Sequence, residues 1–161
     1  MYIQQSDLLR GMSRDFVKEF IDIAIRELRD EGDFIFREGD RASYFYILLK
    51  GRIKLSVGGI GHVVYVVNHP GEVFGWSSLV GRDVYSASAE CKAQTKLLRI
   101  EMEKLQKVLE KDPATGLIFF KRLARTIGNR LLQSYHMVSA ASQAIPPGLG
   151  TGRDLGSTAS P

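Results

Sequence analysis

The sequence has a single cysteine, Cys91, in 161 residues. That excludes a disulfide framework, a cysteine-rich metal site and a cysteine-ligated iron–sulfur cluster. A reducing cytoplasm is the simplest compartment for such a chain. The first residues, from Met1 to Asp7, contain no basic segment followed by an apolar one, so no signal peptide is expected. No apolar run approaches the roughly 18 residues that a membrane span requires. Histidine is also scarce: His62, His69 and His136 are the full set. They do not form a closely spaced pair, so metal catalysis is not expected. Haem ligation by His62 or His69 is weighed against the commoner surface histidine. No Ser/His/Asp arrangement, phosphate-binding P-loop or paired-carboxylate site is present, and the chain is read as a non-enzyme.

Neither sign of charge dominates. Against 18 acidic residues stand 22 basic ones, a formal net charge of +4. Nucleic-acid binding would need the excess gathered on one face. Lys104, Lys107, Lys111, Lys121, Arg122, Arg125 and Arg130 lie near one another in sequence, but Glu101, Glu103, Glu110 and Asp112 interrupt them. A solvated helical face is the simpler reading. Apolar residues make up 44% and charged ones 25%, which suits one soluble globular domain with some extra chain.

Helical patterning opens the chain. Ser13 is a good N-cap and Asp15 suits the first turn. The apolar stripe of Phe16, Phe20 and Ile23 predicts a helix running to about Arg29. Short strands follow: Phe34 to Phe36, residues 44–50, residues 52–57, residues 62–67, residues 85–91 and residues 96–100. Glycine-bearing turns separate them. This spacing indicates an antiparallel sandwich or barrel rather than βαβ units. With helices at both ends the class is α+β: a β-roll of the jelly-roll type, with an N-terminal helix, one short internal helix and a long C-terminal helix. Residues 102–111 form a short helix. Asp112 then caps the long one and Pro113 takes its first position. Leu117, Phe120, Ala124, Ile127 and Leu131 recur at a and d spacing over about three heptads, enough for pairing with a twin helix. Phe119 and Leu123 widen the stripe. The first half of this helix is expected on the barrel and the second half at a dimer interface. Residues 1–138 are read as the domain. Residues 139–161, rich in Ala, Ser, Gly, Pro and Thr, are read as a disordered tail.

The chain is organised around residues 70–89. Pro70 and Gly71 turn, Val73 and Phe74 form a short strand, and Gly75 allows close backbone approach. Trp76, Ser77, Ser78, Leu79 and Val80 suffice for one short helix. A glycine before a helix start, with hydroxyl residues in the first turn, leaves amides free to hold an anion. Arg82 stands just beyond and offers a cation; its alternative is a solvated turn residue. The bland alternative for the whole stretch is an ordinary strand–turn–helix corner.

Three motifs occur in order: F-I-F-R-E-G-D at residues 34–40, Y-I-L-L-K-G-R-I at residues 46–53, and P-G-E-V-F-G at residues 70–75. Together they resemble the cyclic nucleotide-binding domain, found in the sensory half of catabolite-activator (CRP/FNR-type) bacterial regulators and in protein kinase A regulatory subunits. The resemblance covers about residues 7–138. It implies a β-roll in which a glutamate after Phe-Gly holds the ribose 2′-hydroxyl, and a later arginine, followed by a small residue and alanine, pairs with the cyclic phosphate. Aligned without a gap, Trp76 stands for the glutamate and Tyr85 for the arginine, while Ser86 and Ala87 keep the small pair. A hydrogen bond to a charged group contributes about 1.5–3 kcal/mol. Losing the arginine alone thus weakens phosphate binding by about one to two orders of magnitude. Trp76 either stacks on a flat ligand or plugs the pocket. Cupin enzymes share the barrel, but their histidine spacing is missing here.

The resemblance thus implies a regulatory domain that senses a small ligand, a non-standard nucleotide or other anion. The expected contacts are Phe74, Gly75, Trp76, Ser77, Ser78, Leu79, Arg82, Tyr85, Ser86 and Ala87. No resident cofactor or metal is expected; cyclic AMP and cyclic GMP are weighed against the two missing charged contacts. The signal would pass through the C-terminal helices, with a second copy of the chain as partner and no membrane. Two alternatives stand beside this reading. One is a ligand-independent dimerisation or interaction module with a plugged pocket. The other is the sensory part of a transcription regulator without its DNA-binding domain, since residues 139–161 hold no two helical segments to read DNA.

Overall fold

The computed structural model describes residues 6–144. Helix α1 (Arg14–Ile23) leads into strands β1 (Ala24–Arg29), β2 (Phe34–Phe36), β3 (Tyr44–Lys50), β4 (Ile53–Val57), β5 (His62–Val67) and β6 (Val73–Phe74). A single turn of 3-10 helix (Ser77–Val80) follows, then β7 (Ser88–Cys91), β8 (Thr95–Glu101), α2 (Met102–Lys111) and α3 (Pro113–Gln143). The strands form two four-stranded sheets, ordered β1-β8-β3-β6 and β2-β7-β4-β5. Every ladder is antiparallel. The architecture is α+β and antiparallel, as the strand spacing predicts, and is the β-roll that the family resemblance implies.

The central strands β3 and β8 explain how two cores form from one sheet. In β3, Tyr46 and Leu48 face the opposite sheet and join Phe36, Leu55, Phe74 and Leu97. Phe45 and Ile47 face the other way, onto Phe16, Phe20, Leu105 and Phe119 of the helices. Strand side chains alternate faces, so a strand covered on both sides reads as a continuous apolar run. That is why Phe45 through Leu48 lack a polar/apolar rhythm.

The N-terminal helix is shorter than its stripe suggests. Ser13 caps it as expected, accepting from the Phe16 amide at 3.2 Å. The helix nevertheless ends at Ile23, and residues 24–29 pair with β8 in register from Ala24 opposite Ile100 to Arg29 opposite Thr95. Ile25 and Leu28 remain exposed. Their spacing continues the helical stripe, but tertiary pairing with the free edge of β8 outweighs that weak local preference. An ion pair of Glu27 with Arg99 at 3.0 Å links the two strands.

Two further expectations meet the structure. Asp112 caps α3, accepting from the Thr115 amide at 3.2 Å. The helix continues past Val138 to Gln143, so residues 139–143 of the expected tail are helical; residues 145–161 lie outside the described residues. The face of α3 that packs inward is Gly116, Phe119 and Leu123. Gly116 lets α2 approach, since a Cβ there would meet the Leu109 carbonyl at 3.0 Å. Leu117 and Phe120, assigned to the barrel as part of the first half of α3, are exposed instead. Among the described residues no helix is long and apolar enough to cross a membrane.

Candidate functional site

The turn before β6 is fixed by Glu72. Its carboxylate accepts from the Tyr65 hydroxyl at 2.6 Å, the Asn68 amide at 2.9 Å and the His69 amide at 2.8 Å. Burial acts to raise its pKa, but these hydrogen bonds outweigh it and hold the carboxyl below its ordinary range. The Gly71 amide donates to the Leu48 carbonyl at 2.7 Å and locks the turn to β3.

After Phe74 the chain bends at Gly75, whose φ of 73° is left-handed. A Cβ there would come within 2.8 Å of the Tyr46 ring and 3.3 Å of Phe36. The expected close approach is therefore to aromatic side chains of the barrel's own core. One turn of 3-10 helix follows, closed by Gly81 in left-handed geometry. It is too short to carry a substantial helix dipole.

Residues 70–89 form the cassette of this fold, and Tyr85 turns from it into the core between the sheets. Its ring lies on Phe36 with centroids 3.8 Å apart and an interplanar angle of 13°. Its hydroxyl donates to the Tyr44 carbonyl at 2.7 Å and accepts from the Tyr44 amide at 3.1 Å. The residue is 3% exposed, and burial raises the pKa of its phenol, which stays neutral. Phe74 stacks on Tyr46 at 5.1 Å, and Phe36 tilts against both. Burial likewise raises the Tyr46 phenol. The interior between the sheets is thus filled by four aromatic rings.

Of the expected contacts, Gly75, Trp76, Ser77, Tyr85, Ser86 and Ala87 do converge, with Phe36 and Leu55, on one cavity. Its volume is only about 40 Å³. That is room for a few waters at about 10–15 Å³ each, and far below the 300 Å³ or so of a small-molecule pocket. Phe74 lies beneath it in the aromatic core. Ser78, Leu79 and Arg82 point elsewhere. Ser78 and Leu79 line a groove against Met102, Leu109 and Phe120, and Arg82 is exposed beside Asp83 and Val84.

Trp76 lines the cavity with one side. It packs toward the helical core, and the Arg130 guanidinium sits 4.9 Å from its ring. The same guanidinium lies 4.3 Å from the Tyr65 ring and donates to the Val73 carbonyl. Arg130 is therefore not part of a solvated face: α3 inserts it between β5 and the cassette. Arg122 also turns inward, donating to the Leu8 carbonyl at 3.1 Å and the Arg10 carbonyl at 2.6 Å. The sequence offers a weak signal for Arg130. It falls four residues before Ser134, off the Leu117–Leu131 seam, on the side of α3 that carries Phe119 and Leu123. Among the described residues no cluster of His, Cys, Asp or Glu is arranged to hold a metal ion.

A β-roll carrying this P-G-E turn, glycine bend and one-turn helix has the architecture of a cyclic nucleotide-binding regulatory domain. The cyclic nucleotide-binding domain model matches residues 27–112, and the chain belongs to that family. Human cGMP-dependent protein kinase 2 is 34% identical over 90 residues, which cover 54% of this chain and 12% of the kinase. The cyclic AMP receptor protein of Thermus thermophilus is 28% identical over 125 residues, covering 76% of this chain and 57% of the receptor. The chain thus spans about an eighth of the kinase's length. Among solved structures, a cyclic nucleotide-binding domain from Methylobacillus flagellatus superposes with a TM-score of 0.74 at 18% identity, covering 90% of this chain and 82% of that one. That likeness shows the fold. The long C-terminal helix and the barrel are those of CRP/FNR-type regulatory domains.

Proposed function

We propose that this chain is a CRP/FNR-type regulatory domain whose cassette is closed to cyclic nucleotides by its own side chains. One observation carries the reading: Tyr85, at the position of the family's phosphate-binding arginine, stacks on Phe36 and spends its hydroxyl on the Tyr44 backbone. No charged group lines the remaining cavity. Of the functions left open by the sequence, the plugged module fits this geometry better than a sensor of small anions at residues 75–78. Trp76 is a plug only indirectly, since its indole serves as a platform for Arg130.

The output is the C-terminal helix. Leu117 is 60% exposed and Leu131 50%, with Phe120 and Ala124 also outward and Ile127 half-buried between them. An apolar stripe of this length on the exposed face of a helix fits pairing with a second copy. The Trp76–Arg130 contact ties that helix to the cassette, so a change at either end biases the other. Sedimentation equilibrium, with and without cyclic AMP or cyclic GMP, tests the reading. The expected result is a dimer whose dissociation constant neither nucleotide changes. A monomer, or a dimer tightened or loosened by either nucleotide, overturns it.

A further inference from the structure

We propose that the cleft between α3 and the β5–β6 turn is a binding site for a small zwitterion of the amino-acid class. The cleft holds about 290 Å³ and is walled by Arg130, Thr126, Asn129 and Gln133 of α3 on one side and by Tyr65 and Glu72 on the other. This is at the lower end of small-molecule sites, room for a ligand of amino-acid size and no more. It lies apart from the cassette cavity and stands whether or not the cassette takes a nucleotide.

Two opposite charges, Arg130 and Glu72, face this one space with no ion pair between them, although each stabilises the other's charge at a distance. The His69 ring lies 3.4 Å from the Glu72 carboxylate, and Asp7 lines the same cleft. Arg130 is largely buried, yet it forms no ion pair with any described residue. Its Nη1 is enclosed without an acceptor among the described residues, and Nη2 donates to the Val73 carbonyl. A guanidinium has five N–H donors, so most of this one's capacity is unspent. Two aromatic rings stabilise the cation, and the hydroxyl of one of them, Tyr65, which donates to Glu72, stands beside the guanidinium. Glu72 is held ionised by three donors. A carboxylate offers about four acceptor positions, which leaves one for an incoming ammonium. A carboxylate on the ligand would meet the part of the Arg130 guanidinium that lines the cleft as a charge-assisted pair. A free anion is disfavoured by Glu72 and a free cation by Arg130; a molecule carrying both charges satisfies both. Thr126, Asn129 and Gln133, at helical spacing along the same wall, supply neutral donors and acceptors for the remainder. Because Arg130 also rests on Trp76, a ligand here would hold α3 against the cassette.

The test is a titration of the isotope-labelled full chain followed by NMR. Glycine, L-alanine and L-glutamine are the zwitterionic probes, and acetate, methylammonium and inorganic phosphate carry one sign only. The expected result is a saturable shift of the Arg130 Nε–H and the Asn129 and Gln133 carboxamide resonances with at least one amino acid, below about 10 mM. Arg130→Gln should weaken it at least tenfold. Gln133→Leu, on an exposed position that leaves the core untouched, should weaken it as well. No saturable shift with any amino acid overturns the assignment. So does an equal response to acetate, methylammonium or phosphate, or a shift that survives both substitutions. Failure here leaves the closed cassette standing, because that is read by cyclic nucleotide binding alone.

Discussion

Tyr85 lies flat on Phe36, with ring centroids 3.8 Å apart, and fills the barrel interior between the two sheets. Offset-stacked aromatic pairs add about 0.5–1.5 kcal/mol beyond their buried area. The hydroxyl also satisfies both polar groups of the Tyr44 backbone. Tyr85 is thus a stabilising residue of the core as well as the residue that closes the site.

Removing the hydroxyl should therefore be costly in itself. Tyr85→Phe leaves the Tyr44 amide and carbonyl without their partner, a loss of about 1–3 kcal/mol. Tyr85→Ala adds a cavity and should lose about 3–5 kcal/mol. Urea denaturation of the three proteins checks the order, with wild type most stable and the alanine variant least. Equal midpoints would show that the stack contributes nothing.

Gly75→Ala should destabilise more than a typical left-handed glycine replacement. The backbone penalty is about 1–2 kcal/mol. The added Cβ also meets the Tyr46 ring at 2.8 Å, which forces the ring stack apart. A fall in thermal midpoint larger than that of Gly81→Ala is expected, because Gly81 is equally left-handed but faces open space.

Glu72 predicts a pH dependence of definite sign. Its pKa is lowered in the folded chain relative to its ordinary value. Its contribution is therefore fully present above the ordinary carboxylate range and is lost as pH falls through the lowered value. Wild-type stability should drop across that acidic window more steeply than that of Glu72→Gln. Parallel stability–pH curves for the two proteins would contradict the role assigned to the turn.

Leu131→Asp tests the outward stripe of α3. Burying a leucine side chain contributes about 1.5–3 kcal/mol, so its loss from each helix should raise a dimer dissociation constant by at least about tenfold. Leu131 is 50% exposed in the single chain, and the folded protomer should keep its thermal stability. Sedimentation velocity reads the dissociation and circular dichroism the stability.

The strand framework was legible because its signals are local. Gly-bearing turns bracket residues 44–50 and 62–67, and both strands fall within those bounds. Ser13 and Asp112 declare their helix starts through their own hydrogen bonds. What could not be read depends on distant partners. Residues 24–29 carry a helical stripe, and only the open edge of β8 makes them a strand. Tyr85 shows in sequence that an arginine is missing, but its stacking on Phe36, 49 positions earlier in the chain, belongs to the fold. Arg130 sits among exposed basic residues, and its burial requires Trp76 and Tyr65 from two other elements. The seam of α3 was legible as a period, whereas which of Phe119 and Phe120 turns inward depended on where the barrel lies.

In the proposed function side chains close the cassette, with the Tyr85 ring stacked on Phe36 as the closure. Calorimetric titration of cyclic AMP and cyclic GMP into wild type and into the Trp76→Glu, Tyr85→Arg double variant tests it most directly. Wild type should give no saturable heat and the double variant measurable binding, because its substitutions vacate the stack on Phe36 and place charged groups at positions 76 and 85. Saturable binding by wild type with the Tyr85 ring in place would contradict it.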